Sequence, residues 1–133
     1  MNRFSASIFS LALTLQLFSC AQTIFIIVHG TWADPSSWHM PDGDFHKSLA
    51  YALKNDDAYV SFLQWSGQNN HAQRIVGAEL LVGLLKAFGS EHTFTLIGHS
   101  HGANVGILAS HMLANDPNNT IHIYRSFALA APV

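Results

Sequence analysis

The sequence predicts an α/β fold, a mostly parallel sheet flanked by helices with about four strands and three helices, and three observations carry this expectation. Short apolar, β-branched runs alternate along the chain with stretches whose apolar residues recur every three or four positions. The first run, Thr23-Ile24-Phe25-Ile26-Ile27-Val28, is continuously apolar, the pattern of a strand covered on both faces in a parallel sheet. Turn-forming clusters punctuate the alternation at Asp34-Pro35-Ser36-Ser37, Pro41-Asp42-Gly43, Gly67-Gln68-Asn69-Asn70 and Asp116-Pro117-Asn118-Asn119.

The elements follow in order. The first strand ends at His29-Gly30, and Phe45, Leu49 and Leu53 repeat every four residues as one face of a helix. Ala58 to Trp65 reads as the second strand. Ile75, Val76, Leu80, Leu81, Leu84, Leu85 and Phe88 form the wide apolar stripe of a second helix. Thr93 to Ile97 is the third strand, Ala103 to Leu113 a third helix with Val105, Leu108, Ala109 and Met112 on one face, and Thr120 to Ala128 the fourth strand. Such an order favours right-handed βαβ crossovers and gathers ligands at the carboxyl ends of the strands.

With 133 residues and 49% hydrophobic content, the chain can bury a core as one domain. A formal charge of -2, only 11% charged residues and no basic run exclude the electrostatic footprint of a nucleic-acid binder. Residues 1–22 read as a signal peptide: Arg3 is the positive start, Ile8 to Phe18 the apolar centre, and Ser19-Cys20-Ala21 a small-residue exit. The exit has two readings. Leu17-Phe18-Ser19-Cys20 resembles a bacterial lipobox, which would lipidate Cys20 and associate the protein with a membrane. Alternatively, Ser19 and Ala21 suit ordinary cleavage before Gln22. Either way the protein is expected to be exported: periplasmic, secreted or held as a lipoprotein. Cys20 is the only cysteine, so no internal disulfide forms.

The candidate chemistry sits in Gly98-His99-Ser100-His101-Gly102, between an apolar run and a helical stretch. A serine on so sharp a strand-to-helix turn needs small residues two positions to either side, and Gly98 and Gly102 meet that need. Together with Ile26-Ile27-Val28-His29-Gly30-Thr31-Trp32, this motif resembles the front half of an α/β-hydrolase, lipase- or esterase-like, over roughly residues 23–133. The resemblance implies Ser100 as nucleophile, with oxyanion donors at the backbone N–H of Thr31, or of Trp32, and of His101, and with Gly30, Gly98 and Gly102 shaping the loop and elbow. It implies a small-molecule or lipid ester as substrate and no cofactor.

The resemblance also implies an acid and a histidine on strands after the nucleophile. Downstream of the elbow stand only His111, Asp116 and His122, on the elbow helix, in the loop behind it and at the start of the next strand, so the triad is expected to be incomplete and the domain to be cut after the strand following the elbow helix. His99 and His101 leave the same tight turn as Ser100 and are poorly aimed to act as its base. His29 reads as a residue that shapes the oxyanion loop. Trp32 and Trp38 are either apolar surface beside Ser100 or core. Trp65-Ser66-Gly67-Gln68-Asn69 reads as a rim element that resembles a segment of some bacterial lipase-like hydrolases, with Arg74 facing it. Three functions follow: an exported serine ester hydrolase, nearly inactive as this chain; a non-catalytic surface lipoprotein that uses the half-fold for binding; and a metal-dependent hydrolase built on His99 and His101.

Overall fold

A computed structural model describes residues 21–33 and 38–132. The proposed signal segment up to Cys20, including that cysteine, and the Asp34-Pro35-Ser36-Ser37 turn lie outside the described residues. The chain forms β1 (Thr23–Val28), α1 (Asp44–Ala52), β2 (Ala58–Leu63), α2 (His71–Phe88), β3 (Thr93–His99), α3 (His101–Asn115) and β4 (Ile123–Leu129). The four strands make one sheet in the order β2-β1-β3-β4, and every pairing is parallel. This is the α/β arrangement the alternation of periods predicts.

The winding reverses once. From β1 the chain steps outward to β2, then crosses back to β3 and continues to β4. Right-handed crossovers in opposite directions put their helices on opposite faces. The carboxyl ends of β1 and β3 therefore flank a topological switch point, the place where open α/β sheets bind ligands.

The core lies on the face shared with α2 and α3. Ile24, Ile26 and Val28 of β1, Phe94 and Leu96 of β3, Leu81 and Leu85 of α2, and Val105 and Ala109 of α3 are buried together. Burying one such aliphatic side chain is worth about 1.5 to 3 kcal/mol, so this face supplies most of the hydrophobic stabilisation. Asn70 caps α2, its side-chain oxygen accepting from the Gln73 N–H at 2.9 Å.

The other face is covered only in part. Register places Phe25, Ile27, Phe62, Ile97 and Phe127 there, because parallel partners share a face. Phe45 of α1 meets Trp38 edge-on at 5.3 Å, and His46 meets Phe62 at 6.4 Å, so α1 shields the β2 side. No described helix covers the β4 side. Phe25 is half-buried, and Tyr124, Phe127 and Leu129 of β4 are exposed. Helices thus flank the sheet as the sequence predicts, and on this second face the β4 side is left without a described helix.

Strand ends shift by a few residues for local reasons. β2 stops at Leu63 because the Trp65 N–H turns to the His29 ring at 3.4 Å instead of extending the ladder. β4 starts at Ile123 because Asn119 holds the preceding residues in a turn, its Oδ1 accepting from the Ile121 N–H at 2.9 Å. No described helix is long and apolar enough to cross a membrane.

Candidate functional site at the carboxyl edge

Ser100 stands between the last residue of β3 and the first of α3, with φ 53° and ψ -130°. Such a conformation is strained for any residue with a Cβ and costs on the order of 1 to 3 kcal/mol. The flanking glycines make it possible. A Cβ on Gly98 would lie 2.5 Å from the Ala103 Cα, and one on Gly102 would run into the carbonyl oxygens of Val28 and His29. Both collisions are with backbone, which cannot rotate away. Gly102 thus lets the start of α3 press against the end of β1, bringing the two strand exits together.

Gly30 completes the approach. A Cβ there would sit 2.9 Å from the Ser100 Cβ and 3.2 Å from the His99 Nδ1, so the loop after β1 touches the elbow. The Ser100 N–H donates to the Leu129 carbonyl at 2.8 Å, tying the elbow to the end of β4. Ser100 occupies the N-cap position of α3, where a serine oxygen ordinarily accepts from the first turn, yet it makes no capping hydrogen bond. Its half-buried hydroxyl is left for another partner.

The candidate oxyanion donors separate on geometry. The Trp32 N–H donates to the Gly67 carbonyl at 2.9 Å and is occupied. The Thr31 N–H has no carbonyl partner among the described residues, and the His101 N–H belongs to the first turn of α3, whose donors have no intrahelical acceptor. Of the two donors the sequence offered on the β1 loop, Thr31 is the one left open.

The histidines around Ser100 are engaged elsewhere. His29 is buried; its Nδ1 lies 2.8 Å from the Gly30 carbonyl and its Nε2 faces the Trp65 N–H at 3.4 Å. Two such partners assign a neutral ring that donates from Nδ1 and accepts at Nε2. The His101 Nδ1 lies 3.1 Å from the Asn104 Nδ2, and His99 packs edge-on against Trp38 at 5.5 Å. His39, its ring tilted against His29 at 4.6 Å, has its pKa lowered to about 4, first by burial and then by the neighbouring His29 and His46. Burial also lowers the pKa of His46, against a backbone hydrogen bond to Val60 that raises it. His111 and His122 are exposed, and Asp116 pairs with Lys86 at 3.0 Å; the Lys86 hydrogen bond, helped by the Asn118 N–H, lowers the Asp116 pKa.

Among the described residues no three of His, Cys, Asp and Glu gather into a metal-holding group, so the His99 and His101 pair lacks a third ligand there. Trp32 and Trp38 part company: Trp38 turns inward against His39, Phe45 and His99, whereas Trp32, at φ 52°, is 78% exposed. Arg74 reaches Asn69 Oδ1 at 3.4 Å on the exposed rim. Two features escaped the sequence reading. One is the lacing of the β2 exit to the β1 exit, and the other is Ala130, left-handed at φ 49° just after β4. Only the loop glycine Gly67 hinted at the first.

No protein-family model, no curated protein and no solved structure matches this chain.

Proposed function

We propose that the chain is an exported serine ester hydrolase of the α/β-hydrolase kind, acting on carboxylic or lipid esters through Ser100. One observation carries the reading: an uncapped serine hydroxyl on a strained elbow, wedged by three glycines against the exit of the neighbouring strand at the switch point. In the reaction the Ser100 oxygen attacks the ester carbonyl, and the carbonyl oxygen takes up the negative charge. The Thr31 and His101 N–H groups stabilise that charge, which exists only on the way to reaction. The alcohol then leaves with a proton and the acyl group stays on Ser100 until water removes it.

The proton acceptor is the weak point. Neither His29, His99 nor His101 hydrogen-bonds to Ser100, and a serine without a positioned base is a poor nucleophile. The chain alone is therefore expected to hydrolyse a short-chain p-nitrophenyl ester only about three to four orders of magnitude faster than water does, the level left by binding and oxyanion stabilisation. Ser100→Ala should leave that residual rate, which needs no nucleophile, but abolish the acyl adduct that mass spectrometry finds on the wild-type chain after incubation with the ester. An acyl adduct formed to the same extent in Ser100→Ala would overturn the assignment.

The same observation favours a second reading, a non-catalytic surface lipoprotein that uses the edge for binding. The routes to the membrane differ in their consequence. Gln22 is fixed at the amino edge, its N–H donating to His92 Nδ1 at 3.1 Å and its carbonyl accepting from the Thr93 N–H at 3.0 Å. A lipid on Cys20 would enter from that edge, and the length of β1, roughly 20 Å at 3.3 Å per residue, separates it from Ser100. A lipid-anchored form would thus present Ser100 away from its own membrane and toward soluble esters. Loss of membrane association in Cys20→Ala supports the anchored form; recovery in a soluble extracytoplasmic fraction with Gln22 first supports ordinary cleavage.

A further inference from the structure

The exit of β2 makes an unusual set of bonds to the exit of β1. The Trp65 indole Nε1–H donates to the His29 carbonyl at 2.9 Å, and the Trp65 backbone N–H faces His29 Nε2 at 3.4 Å. Two residues on, the Gly67 carbonyl takes the Trp32 N–H at 2.9 Å. Gly67 is itself left-handed at φ 65°, and a Cβ there would come within 3.2 Å of the Trp32 nitrogen, 3.4 Å of the Gly30 oxygen and 3.4 Å of His29 Cε1. These contacts bracket Thr31 on both sides. They also hold Trp32, a bulky residue, at a positive φ that an unconstrained chain rarely adopts.

We infer that Trp65-Ser66-Gly67, acting through His29 and Trp32, positions the Thr31 N–H for an oxyanion at Ser100. Trp65, Gly67 and His29 are positioning residues: they touch no reacting atom, but they set the peptide between Gly30 and Thr31. Strain at Trp32 has the same origin, because the Gly67 hydrogen bond draws its N–H away from Ser100 and leaves the Thr31 N–H as the donor. The inference rests on the proposed role of Ser100, and its test separates the two.

Phenylboronic acid is the probe, since it needs no turnover. Ser100 Oγ bonds to the trigonal boron, its proton passes to buffer, and in the tetrahedral boronate anion that results one boron-bound hydroxyl stands where the oxyanion would. Benzamide, which stays trigonal and uncharged, reports ordinary ground-state binding. Titrations by NMR would compare the wild type with Ser100→Ala, His29→Leu, His29→Asn, Trp65→Phe and Gly67→Ala. His29→Leu, Trp65→Phe and Gly67→Ala should each weaken the boronate about tenfold or more while moving benzamide less than twofold, since complete removal of one donor costs about a hundredfold or more. His29→Asn, whose amide can still donate to the Gly30 carbonyl, should recover most of the loss. If His29→Leu fails to fold, Trp65→Phe and Gly67→Ala carry the test. Boronate binding as in wild type in these variants, or equal losses for both probes, would overturn the positioning role. Boronate binding unaffected by Ser100→Ala would instead overturn the role of Ser100.

Discussion

The two ends of the sheet are built by different means. At the carboxyl edge every strand exit holds a left-handed residue: Trp32 after β1, Gly67 after β2, Ser100 after β3 and Ala130 after β4. The exits 29–33, 64–69 and 130–132 contain no Asp, Glu, Lys or Arg. Backbone meets backbone there through glycines. The amino edge is made of ordinary turn chemistry, with Asp116 accepting from the Asn118 N–H, Asn119 from the Ile121 N–H, and Asp57 Oδ1 from the Gln22 amide, alongside the Lys86 and Asp116 ion pair. Side chains satisfy the turns at one edge, whereas the other accumulates strain that the rest of the fold must offset. Strain of this kind persists where the surroundings over-determine it, and it clusters at sites of chemistry.

The contrast can be broken most severely at Gly102. Its neighbours are carbonyl oxygens of β1, so Gly102→Val should destabilise the protein by about 3 kcal/mol or more in urea unfolding, as forced overpacking does when nothing can move. A cost below about 1 kcal/mol would mean that α3 is not pressed against β1.

Acid should act nearly as strongly, through the histidines under the site. His39 is buried and binds its proton only near pH 4, whereas the unfolded chain binds it near 6.5. Between those values the unfolded state holds more protons, so stability rises with pH across the window. It is full above about 6.5 and falls as pH drops toward 4, by up to about 3 kcal/mol from this group. Urea midpoints of wild type and His39→Gln over that range should converge at low pH, with the variant showing the flatter slope. Parallel slopes would remove His39 from the explanation.

Smaller and opposite in sign is the effect at the elbow itself. Ser100→Gly relieves a strain of about 1 to 3 kcal/mol and returns some of it as unfolded-state freedom, so a net gain of about 1 kcal/mol is expected. A loss of stability would show that Ser100 is not strained. At the amino edge, Lys86→Met removes an exposed ion pair and should leave the urea midpoint within its scatter.

What was legible in the sequence follows the same division. β1 could be read to the residue because a continuous β-branched run has few alternatives, and the elbow because only glycine fits beside Ser100. The fate of the two tryptophans was not legible. Trp32 turns outward because its N–H bonds to Gly67, which lies 35 positions along the chain, and no local spacing encodes that bond. The exposure of Tyr124, Phe127 and Leu129 was hidden for the converse reason: an apolar strand reads as buried whether or not a helix covers it. Asp116 and His122 could be placed away from the site because loop and strand order alone put them at the far edge.

The central claim, that the carboxyl edge makes Ser100 a site of acyl transfer, is tested most directly by fluorophosphonate treatment followed by peptide mass spectrometry. Ser66 and the other serines of the same chain serve as internal references. Ser100 should be modified faster than every one of them, slowly in absolute terms for want of a base, and Thr31→Pro, which deletes the N–H donor, should bring it down toward their level. Modification of Ser100 no faster than that of an exposed serine such as Ser66 would contradict the claim.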